Sequence, residues 1–385
     1  MSIKAFSESV TSKNYSDIPK ISVKDEDWKY TKIIDEINDF EPIKNFVDLK
    51  ETDEFEIITN GAEYLAKESN YFQTEDIRLL GSQLVSEYYK RPFDRFIAQQ
   101  YQKCSGGFLL SLIKNNEETI KIDVHSNGLI VPYIGISCEK NVTSKILINF
   151  GENLQGSAYP IIEIFGHENS SLEVIINTSS VHDIEIINSI YAELSKDSSL
   201  SIHTVSTGGR FSRNRIDVDL KGDGSNFLID GVYFGENSQI HDNRVFVNHI
   251  AKRTTSNMLT KGVLGDSSKS VFTGTIHIAE GAEKTESHQE NRNILLSDTA
   301  SAQSVPNLEI LCDDVICGHG SSVGPLDEKL FHYVMSRGIE REGAEKLLIN
   351  GFFNEVLKQN GWEEISETVA KTILEKYEKV RKGKN

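Results

Sequence analysis

The sequence predicts a mainly β protein in which a stacked β-solenoid lies between two helical regions. Apolar and polar residues alternate strictly in short segments such as "RIDVDL" (215–220), "FTGTIHI" (272–278) and "NLEILC" (307–312), as in half-buried strands. A small polar turn phrase returns between such segments, for example "HENSSLEV" from His167 and "SKDSSLSI" from Ser195. Short strands with recurrent turns favour stacked coils, each burying its inner residues against the next. An irregular two-sheet sandwich is the alternative, because turn signals alone do not determine topology.

The first region, residues 1–105, is mixed and polar, and its pattern predicts helices. "TEDIRLLGSQLVSEYY" (74–89) places four apolar or aromatic residues three or four apart behind Thr74, which predicts an amphipathic helix with Thr74 as its cap. Those residues are Ile77, Leu80, Leu84 and Tyr88. The segment "DEDWKYTKIIDEI" (25–37) predicts a turn followed by a helix carrying Trp28, Ile33, Ile34 and Ile37.

The solenoid is predicted to occupy residues 106–324, where Val, Ile, Thr and Ser increase and no long helical pattern remains. Residues 325–385 change texture again and predict three helices. Their apolar faces are Leu330, Phe331, Val334 and Met335, then Ala344, Leu347, Leu348, Phe352 and Val356, then Ile365, Val369, Ile373 and Tyr377.

Composition restricts the classes of function. The chain has 385 residues, 38% hydrophobic and 26% charged, which is typical of a soluble globular protein with two or three structural units. A formal charge of −17 argues against nucleic acid or an anionic membrane as main partner. We found no signal-like N-terminus and no membrane-spanning apolar run, and the four cysteines do not make a disulfide framework. We therefore expect a cytoplasmic protein with free thiols.

Four stretches between His249 and Phe353 resemble the SufB/SufD family of iron–sulfur cluster assembly proteins. They are "KGVLGDSSKSVFTGTIHI", "AEKTESHQENRNILLSDTA", "PNLEILCDDVICGHGSSVGPLDE" and "LFHYVMSRGIEREGAEKLLINGFF". Within the family, "DEDWKYTK" (25–32) and the glycine that follows the histidine in "CGHGSS" (317–322) resemble SufD, whereas SufB usually carries a glutamate there. Gly318 and Ser321–Ser322 depart from the usual SufD phrase.

The resemblance implies a right-handed parallel β-helix core with N-terminal and C-terminal helical parts. It also implies a non-catalytic assembly subunit that pairs with SufB through the β-helix and binds the SufC ATPase through its C-terminal helices. A transient iron–sulfur cluster or iron would be shared with SufB, and the histidine of the "CGHGSS" phrase, His319, is associated with that interface.

The stretch "CDDVICGHGSSVG" (312–324) holds the candidate cluster or interface residues. Cys312 follows Leu308 and Ile310 in alternation, so we expect it to point into the coil, as a small hydrophobe or a ligand. Cys317 and His319 should leave one face of a strand about 7 Å apart. A thiolate and an imidazole so placed suit iron, but two ligands are too few, so a second chain must supply the others. The alternatives are a structural thiol for Cys317 and a backbone-bonded imidazole for His319. His249 is expected to be a turn or interface residue.

Six apolar residues of the C-terminal helices are candidates for SufC binding or for capping the solenoid, namely Leu330, Phe331, Met335, Leu347, Phe352 and Phe353. The sequence contains no G-x-x-x-x-G-K-[ST] phosphate loop, so we expect ATP hydrolysis to be supplied by SufC. The main functional alternative is a SufB-like scaffold that forms a homodimer and holds the nascent cluster itself. A β-helix enzyme acting on polysaccharides is a third hypothesis, disfavoured because both tryptophans, Trp28 and Trp362, lie outside the solenoid region.

Overall fold

A computed structural model describes residue 16 and residues 18–22, 24–25, 28–29, 37–43, 55–59, 64–77 and 95–382. Within these ranges the chain forms a parallel β-solenoid flanked by helices, which confirms the predicted fold class. Successive strands of the solenoid alternate between two sheets, so that each coil contributes one strand to each sheet.

The first sheet contains β1 (Glu56–Thr59), β2 (Tyr64–Ala66), β5 (Ile120–Val124), β7 (Thr143–Asn149), β9 (Ser171–Thr178), β11 (Ser199–Ser206), β13 (Asn226–Gly235), β15 (Thr255–Leu264), β17 (Thr285–Leu295) and β19 (Val315–Gly324). The second contains β3 (Phe72–Asp76), β4 (Gly106–Leu112), β6 (Pro132–Cys138), β8 (Ile161–Gly166), β10 (Glu185–Leu194), β12 (Phe211–Leu220), β14 (Ile240–His249), β16 (Lys269–Ile278) and β18 (Ser301–Ile310). Pairing is parallel except for the β1–β2 and β3–β4 pairs.

Aliphatic side chains of equal register fill the interior. Ile190, for example, stands opposite Ile162 on one side and Ile216 on the other, and all three are buried in one continuous core. Burial of each isoleucine side chain stabilises the fold by about 1.5–3 kcal/mol, but only when the neighbouring coil is present to cover it. The alternation in "RIDVDL" is therefore a direct record of which side chains face inward.

The recurrent polar phrases form the turns between strands. In each of seven turns, one non-glycine residue adopts the left-handed region, with φ between 49° and 61°. Asparagine and aspartate tolerate this region better than most residues, which explains why they recur at these positions. The residues are Asn141, Asn169, Asp197, Asn237, Arg253, Asp266 and Lys284.

Four helices lie wholly within the described residues: α1 (Arg95–Gln102), α2 (Glu328–Ser336), α3 (Arg341–Leu357) and α4 (Ser366–Lys382). The last three are the helices that the C-terminal pattern predicts. Asp327 caps α2, since its Oδ1 accepts hydrogen bonds from the backbone N–H groups of Lys329 (2.8 Å) and Leu330 (3.3 Å). The helices α3 and α4 pack on the outer face of the first sheet. No helix in the described ranges is both long and apolar enough to cross a membrane.

The N-terminal prediction was wrong at Thr74. This residue is not a helix cap, because it lies in β3 and pairs with Leu110 of β4. A partner strand overrode the local capping pattern. Leu80, Leu84 and Tyr88, the remainder of the predicted helix except Ile77, lie outside the described residues, as do Ile33 and Ile34.

Candidate functional site

The final coil of the solenoid has an open end. In the described part of the chain, β19 pairs only with β17, and β18 pairs only with β16. One backbone edge of each sheet is therefore unpaired, and the interior side chains of this coil have no coil above them. Several apolar residues are correspondingly exposed around this end: Ile310 (42%), Leu311 (63%), Ile316 (58%) and Val323 (43%). Unpaired edges next to exposed apolar groups are typical of a surface that another chain covers.

Cys317 and His319 lie on the interior face of β19, at this open end. Their Cα partners in β17 are Ser287 and Gln289, which are both buried inside the solenoid. Because β19 is the last strand, Cys317 is only half-buried and His319 is exposed. Partial burial raises the pKa of the Cys317 thiol, and a hydrogen bond from the backbone of Gly318 opposes this effect.

Cys312 lies just beyond the end of β18 and is also half-buried. It packs with Leu308 against the solenoid core, as the alternation predicts, whereas Ile310 between them is at the open end. The fold thus brings Cys312, Cys317 and His319 to the same end of the molecule. The described residues contain no group of three or more His, Cys, Asp or Glu side chains that could hold a metal ion alone. Two or three dispersed donors need further ligands from outside the chain.

The layer beneath the open coil is polar, which the sequence analysis missed. The first five interior side chains of β17 are at most 4% exposed, yet none is apolar. In β9, by contrast, the first three interior residues are Leu172, Val174 and Ile176. The signal was present in "TESHQENRN", where the alternation of apolar residues disappears. The interior row of β17 is Thr285, Ser287, Gln289, Asn291 and Asn293.

His249 belongs to this polar interior, so its interpretation as a turn or interface residue was wrong. It is fully buried at the end of β14 and lies within hydrogen-bond distance of Thr254 Oγ1 (Nδ1, 2.8 Å) and Ser256 Oγ (Nε2, 2.9 Å). Burial lowers its pKa to about 3, so the imidazole is neutral at pH 7. Ser256 Oγ in turn lies 2.6 Å from Ser287 Oγ. A hydrogen-bonded row therefore runs from His249 to the residue beneath Cys317.

The direction of this row follows from counting protons. Thr254 and Thr285 donate their hydroxyl protons to the backbone carbonyls of Ala251 (3.3 Å) and Ala282 (2.8 Å). Thr254 can therefore only accept from His249, so Nδ1 carries the proton and Nε2 is left to accept from Ser256. Ser256 accepts from Ser287. The hydroxyl proton of Ser287 therefore points away from Cys317, and only the lone pairs of the Ser287 oxygen face the final coil.

The C-terminal helices divide the six candidate partner-binding residues into two groups. Phe331 and Phe353 are buried, and Phe352 is half-buried against the cluster that joins the helices to the solenoid. Three candidates remain exposed, and two further apolar residues accompany them. The exposed set is Leu330 (54%), Tyr333 (57%), Met335 (36%), Ile339 (38%) and Leu347 (50%). We call this set the α2–α3 apolar surface.

A buried polar junction lies where the C-terminal helices meet the first sheet. His203 of β11 and Asp230 of β13 are each 1% exposed, and Trp362 covers His203 at a ring-centroid distance of 5.3 Å. His203 Nδ1 and Asp230 Oδ2 are 3.9 Å apart, and neither side chain has a hydrogen bond in the described residues. Burial lowers the pKa of His203 to about 4 and raises that of Asp230 to about 7. The nearby charged groups are Glu363, Lys145 and Glu173.

Comparisons with known proteins identify relatives of this chain. Residues 122–352, more than half of the chain, match the family model described as "SUF system FeS cluster assembly, SufBD core domain". An iron–sulfur cluster assembly SufBD family protein of Mycobacterium leprae is 28% identical over 297 residues, which are 73% of this chain and 75% of the relative. Iron–sulfur cluster assembly protein SufD of Escherichia coli is 31% identical over 171 residues (44% of this chain, 40% of the relative). SufD of Bacillus subtilis is 35% identical over 159 residues (41% and 36%).

Proposed function

This chain belongs to the SufBD family of iron–sulfur cluster assembly proteins, and from that premise we propose that it is a SufD-type subunit pairing end to end with a SufB-type partner. The open final coil is the observation that carries the proposal. A second β-solenoid would continue both sheets at the free edges of β18 and β19 and would cover the exposed apolar residues around them. The four cysteines are free, which suits a reducing compartment such as the cytoplasm.

The nascent cluster, or the iron that enters it, is the cargo of this interface. Cys317 and His319 offer a soft sulfur ligand and an imidazole from one side, and Cys312 lies at the same end. Thiolate and imidazole are ligands that iron and iron–sulfur clusters accept. The missing ligands would come from the partner, so the chain's own contribution is to present its donors at a fixed spacing on a rigid strand.

The α2–α3 apolar surface is the proposed binding site of the SufC ATPase. It lies on helices that are already anchored to the solenoid through Phe353 and its neighbours, so the exposed residues are available for a second contact. Movement of the ATPase would then be transmitted to the solenoid through the helices. The chain itself acts as an assembly component, and ATP hydrolysis belongs to the partner.

The pairing proposal is tested by charge placed at the open end. We would co-express the chain with SufB and SufC and compare Leu311→Asp and Ile316→Asp with the control Val181→Asp. Val181 is 78% exposed but lies between β9 and β10, away from the final coil. We expect loss of SufB from the purified complex in the first two variants only, because burying an unpaired carboxylate costs several kcal/mol. Full retention of SufB in both would disprove end-to-end pairing.

The ligand proposal is tested by Cys317→Ala and His319→Ala in the same complex, with Ser322→Ala on the opposite face of β19 as control. We expect normal complexes with reduced cluster content in the first two and normal content in the control. Normal clusters in both ligand variants would remove Cys317 and His319 from the mechanism.

The ATPase proposal is tested by charge on the α2–α3 apolar surface. Leu330→Asp and Leu347→Asp should release SufC while SufB stays bound.

The homodimeric scaffold is an alternative outcome of the same experiments. The open end is available to a second copy of this chain when no SufB is present. If the chain purified alone holds a stable cluster with both His319 and Cys317 required, the self-sufficient scaffold is correct and the SufD assignment is not.

A further inference from the structure

The turn between α3 and α4 lies directly on the buried pair formed by His203 and Asp230. We call residues 358–365 the α3–α4 turn. Trp362 of this turn is fully buried and packs edge to face against the His203 ring. Gly361 is equally close, because a Cβ at this position would lie 2.2 Å from His203 Nε2. The φ of Gly361 is +97°, a left-handed conformation that favours glycine. The turn therefore separates the imidazole from solvent.

This contact leaves five polar atoms without a hydrogen bond in the described residues. They belong to three side chains that are each at most 1% exposed. The 3.9 Å between His203 Nδ1 and Asp230 Oδ2 is too long for a hydrogen bond. Buried polar groups normally have partners, and water would supply them if the turn moved away. The atoms are His203 Nδ1 and Nε2, Asp230 Oδ1 and Oδ2, and Trp362 Nε1.

Neighbouring charges do not compensate the pair. Lys145 of β7 lies 3.4 Å from Glu173 of β9 and 3.8 Å from Glu363 of the turn. Lys145 and Glu363 act on the pKa of His203 in opposite directions, and burial lowers it to about 4. Burial also raises the pKa of Asp230 to about 7. In water the ordinary values of 6.5 and 3.8 return, so uncovering the pair favours its charged forms.

Apolar burial and partly exposed ion pairs hold the turn in place. Trp362 and Ile365 belong to the apolar cluster that the C-terminal helices share with the first sheet. The backbone N–H of Gly361 donates to Glu363 Oε2 within the turn, at 3.0 Å, and not to the sheet. Exposed ion pairs contribute little to stability. The pairs that join the turn to the sheet are Lys121–Glu364 (2.9 Å) and Lys145–Glu363 (3.8 Å).

We propose that the α3–α4 turn is a latch, which opens while the solenoid stays folded and thereby exposes His203 and Asp230 to water. The closed latch is stabilised by the burial of Trp362 and opposed by the unpaired polar atoms beneath it. Its opening releases the connection between α3 and α4 from the sheet, so the helices gain freedom to move. The latch does not depend on which partner binds the chain, so it and the proposed function can fail separately.

The experiment is hydrogen exchange of the full chain at pH 8. The amides of Ile365 and Ser366 report on the turn, because both donate to the Trp362 carbonyl, at 3.2 and 2.8 Å. The amides of β10 report on global unfolding in the same sample. Asp230→Asn removes the buried charge, and the exposed Asp298→Asn is its control.

A second pair of variants displaces the turn without changing any charge. Gly361→Ala places a Cβ against His203 and should force the turn away from it. Gly338→Ala is the matched control, because Gly338 has a similar φ of +88° between α2 and α3 but no atom within 4 Å of the added Cβ.

We expect the turn amides of the wild type to exchange faster than those of β10. Asp230→Asn should slow the turn amides about tenfold or more, since each unit of pKa difference corresponds to a factor of ten. Gly361→Ala should accelerate them while β10 remains protected, and both controls should match the wild type. Equal protection of the turn and β10 in the wild type would disprove the latch. Unchanged exchange in Asp230→Asn, or equal exchange in Gly361→Ala and Gly338→Ala, would overturn the role of the covered pair.

Discussion

Replacing Asp230 with asparagine should stabilise the folded protein at alkaline pH and leave it unchanged at pH 4. Asp230 is 1% exposed beneath the C-terminal helices, and its Oδ atoms have no hydrogen bond in the described residues. Asparagine has nearly the same shape but no charge, so the substitution removes the ionisation and little else.

The magnitude follows from the pKa of Asp230, which burial raises from 3.8 to about 7. A raised carboxyl pKa means that the folded state binds the proton more tightly than the unfolded state. The stabilising contribution is therefore complete below pH 3.8 and is lost as the pH rises through 7. The difference between the unfolded pKa of 3.8 and the folded pKa of about 7 corresponds to at most about 4 kcal/mol of lost folding free energy at pH 8. Asp230→Asn should recover most of it.

His203 opposes this pH dependence in the wild-type protein. Its pKa falls from 6.5 to about 4 on burial, so its contribution is present above pH 6.5 and is lost as the pH falls through 4. Between pH 6.5 and 4 the two residues change stability in opposite directions and nearly cancel. The quantity to examine is therefore the difference between variant and wild type, in which the His203 contribution is common to both.

The assay is urea unfolding at pH 8, 7, 6, 5 and 4, followed by tryptophan fluorescence and circular dichroism. Asp298→Asn is the control, since Asp298 is exposed and the substitution changes the net charge equally. We expect a stabilisation that decreases from pH 8 to pH 4 for Asp230→Asn and a constant small effect for Asp298→Asn. Equal stability of wild type and Asp230→Asn at pH 8 would refute the reasoning that a buried charge stands at this junction.

Three further predictions concern the interior. Ser256→Ala removes the hydrogen-bond donor to His249 Nε2 and should lower the free energy of unfolding by about 1–3 kcal/mol. An unchanged urea midpoint would contradict the hydrogen-bonded row from His249 to Ser287. Gly262→Ala should destabilise the folded protein, because the added Cβ would lie 2.0 Å from the Tyr233 ring. Gly351→Ala, on the exposed side of α3, should stabilise it by about 0.5–1 kcal/mol, because no atom lies within 4 Å of the added Cβ and alanine favours the helix. A higher melting temperature for Gly262→Ala than for Gly351→Ala would contradict this packing. In the native chain a thiol reagent should modify the two half-buried cysteines rapidly and the two buried ones only after unfolding. Burial shields the second pair and raises the pKa of both thiols to about 12. Rapid modification of all four thiols would contradict this prediction. The fast pair is Cys312 and Cys317, and the slow pair is Cys104 and Cys138.

Local patterns predicted the solenoid well because each of its coils repeats the same physical rule. The alternation of Ile216, Val218 and Leu220 is the inward face of β12, and the polar phrases supply the left-handed turn residues such as Asn169 and Asp197. Helical periodicity likewise predicted the existence of α2, α3 and α4. The predicted apolar face matches the buried one only in α4, through Val369, Ile373 and Tyr377. In α2 only Phe331 is buried, and in α3 the predicted Leu347 is exposed whereas Ile349 and Phe353 are buried.

Local patterns failed where a distant partner decided the outcome. Thr74 has a capping sequence but pairs as a strand with β4. His249 was misplaced because its two hydrogen-bond partners stand five and seven residues away in the next strand and turn, and a buried imidazole looks no different in sequence from an exposed one. The spacing of Cys317 and His319 predicted their common face, but only the stack reveals that this face is the interior of the last, uncovered coil.

The helices α3 and α4 have one more consequence, for how the chain comes apart. Their apolar face contacts Leu147, Ile175, Val205, Val232 and Leu259, which belong to five successive strands of the first sheet. A bare solenoid unravels coil by coil, since each coil holds only its neighbours. Because α3 and α4 pack across five coils, those coils should unfold together, whereas β18 and β19 do not belong to this packed group. Amide hydrogens of the final coil should therefore exchange with solvent long before those of the braced coils, and that fraying is what a bound partner would suppress.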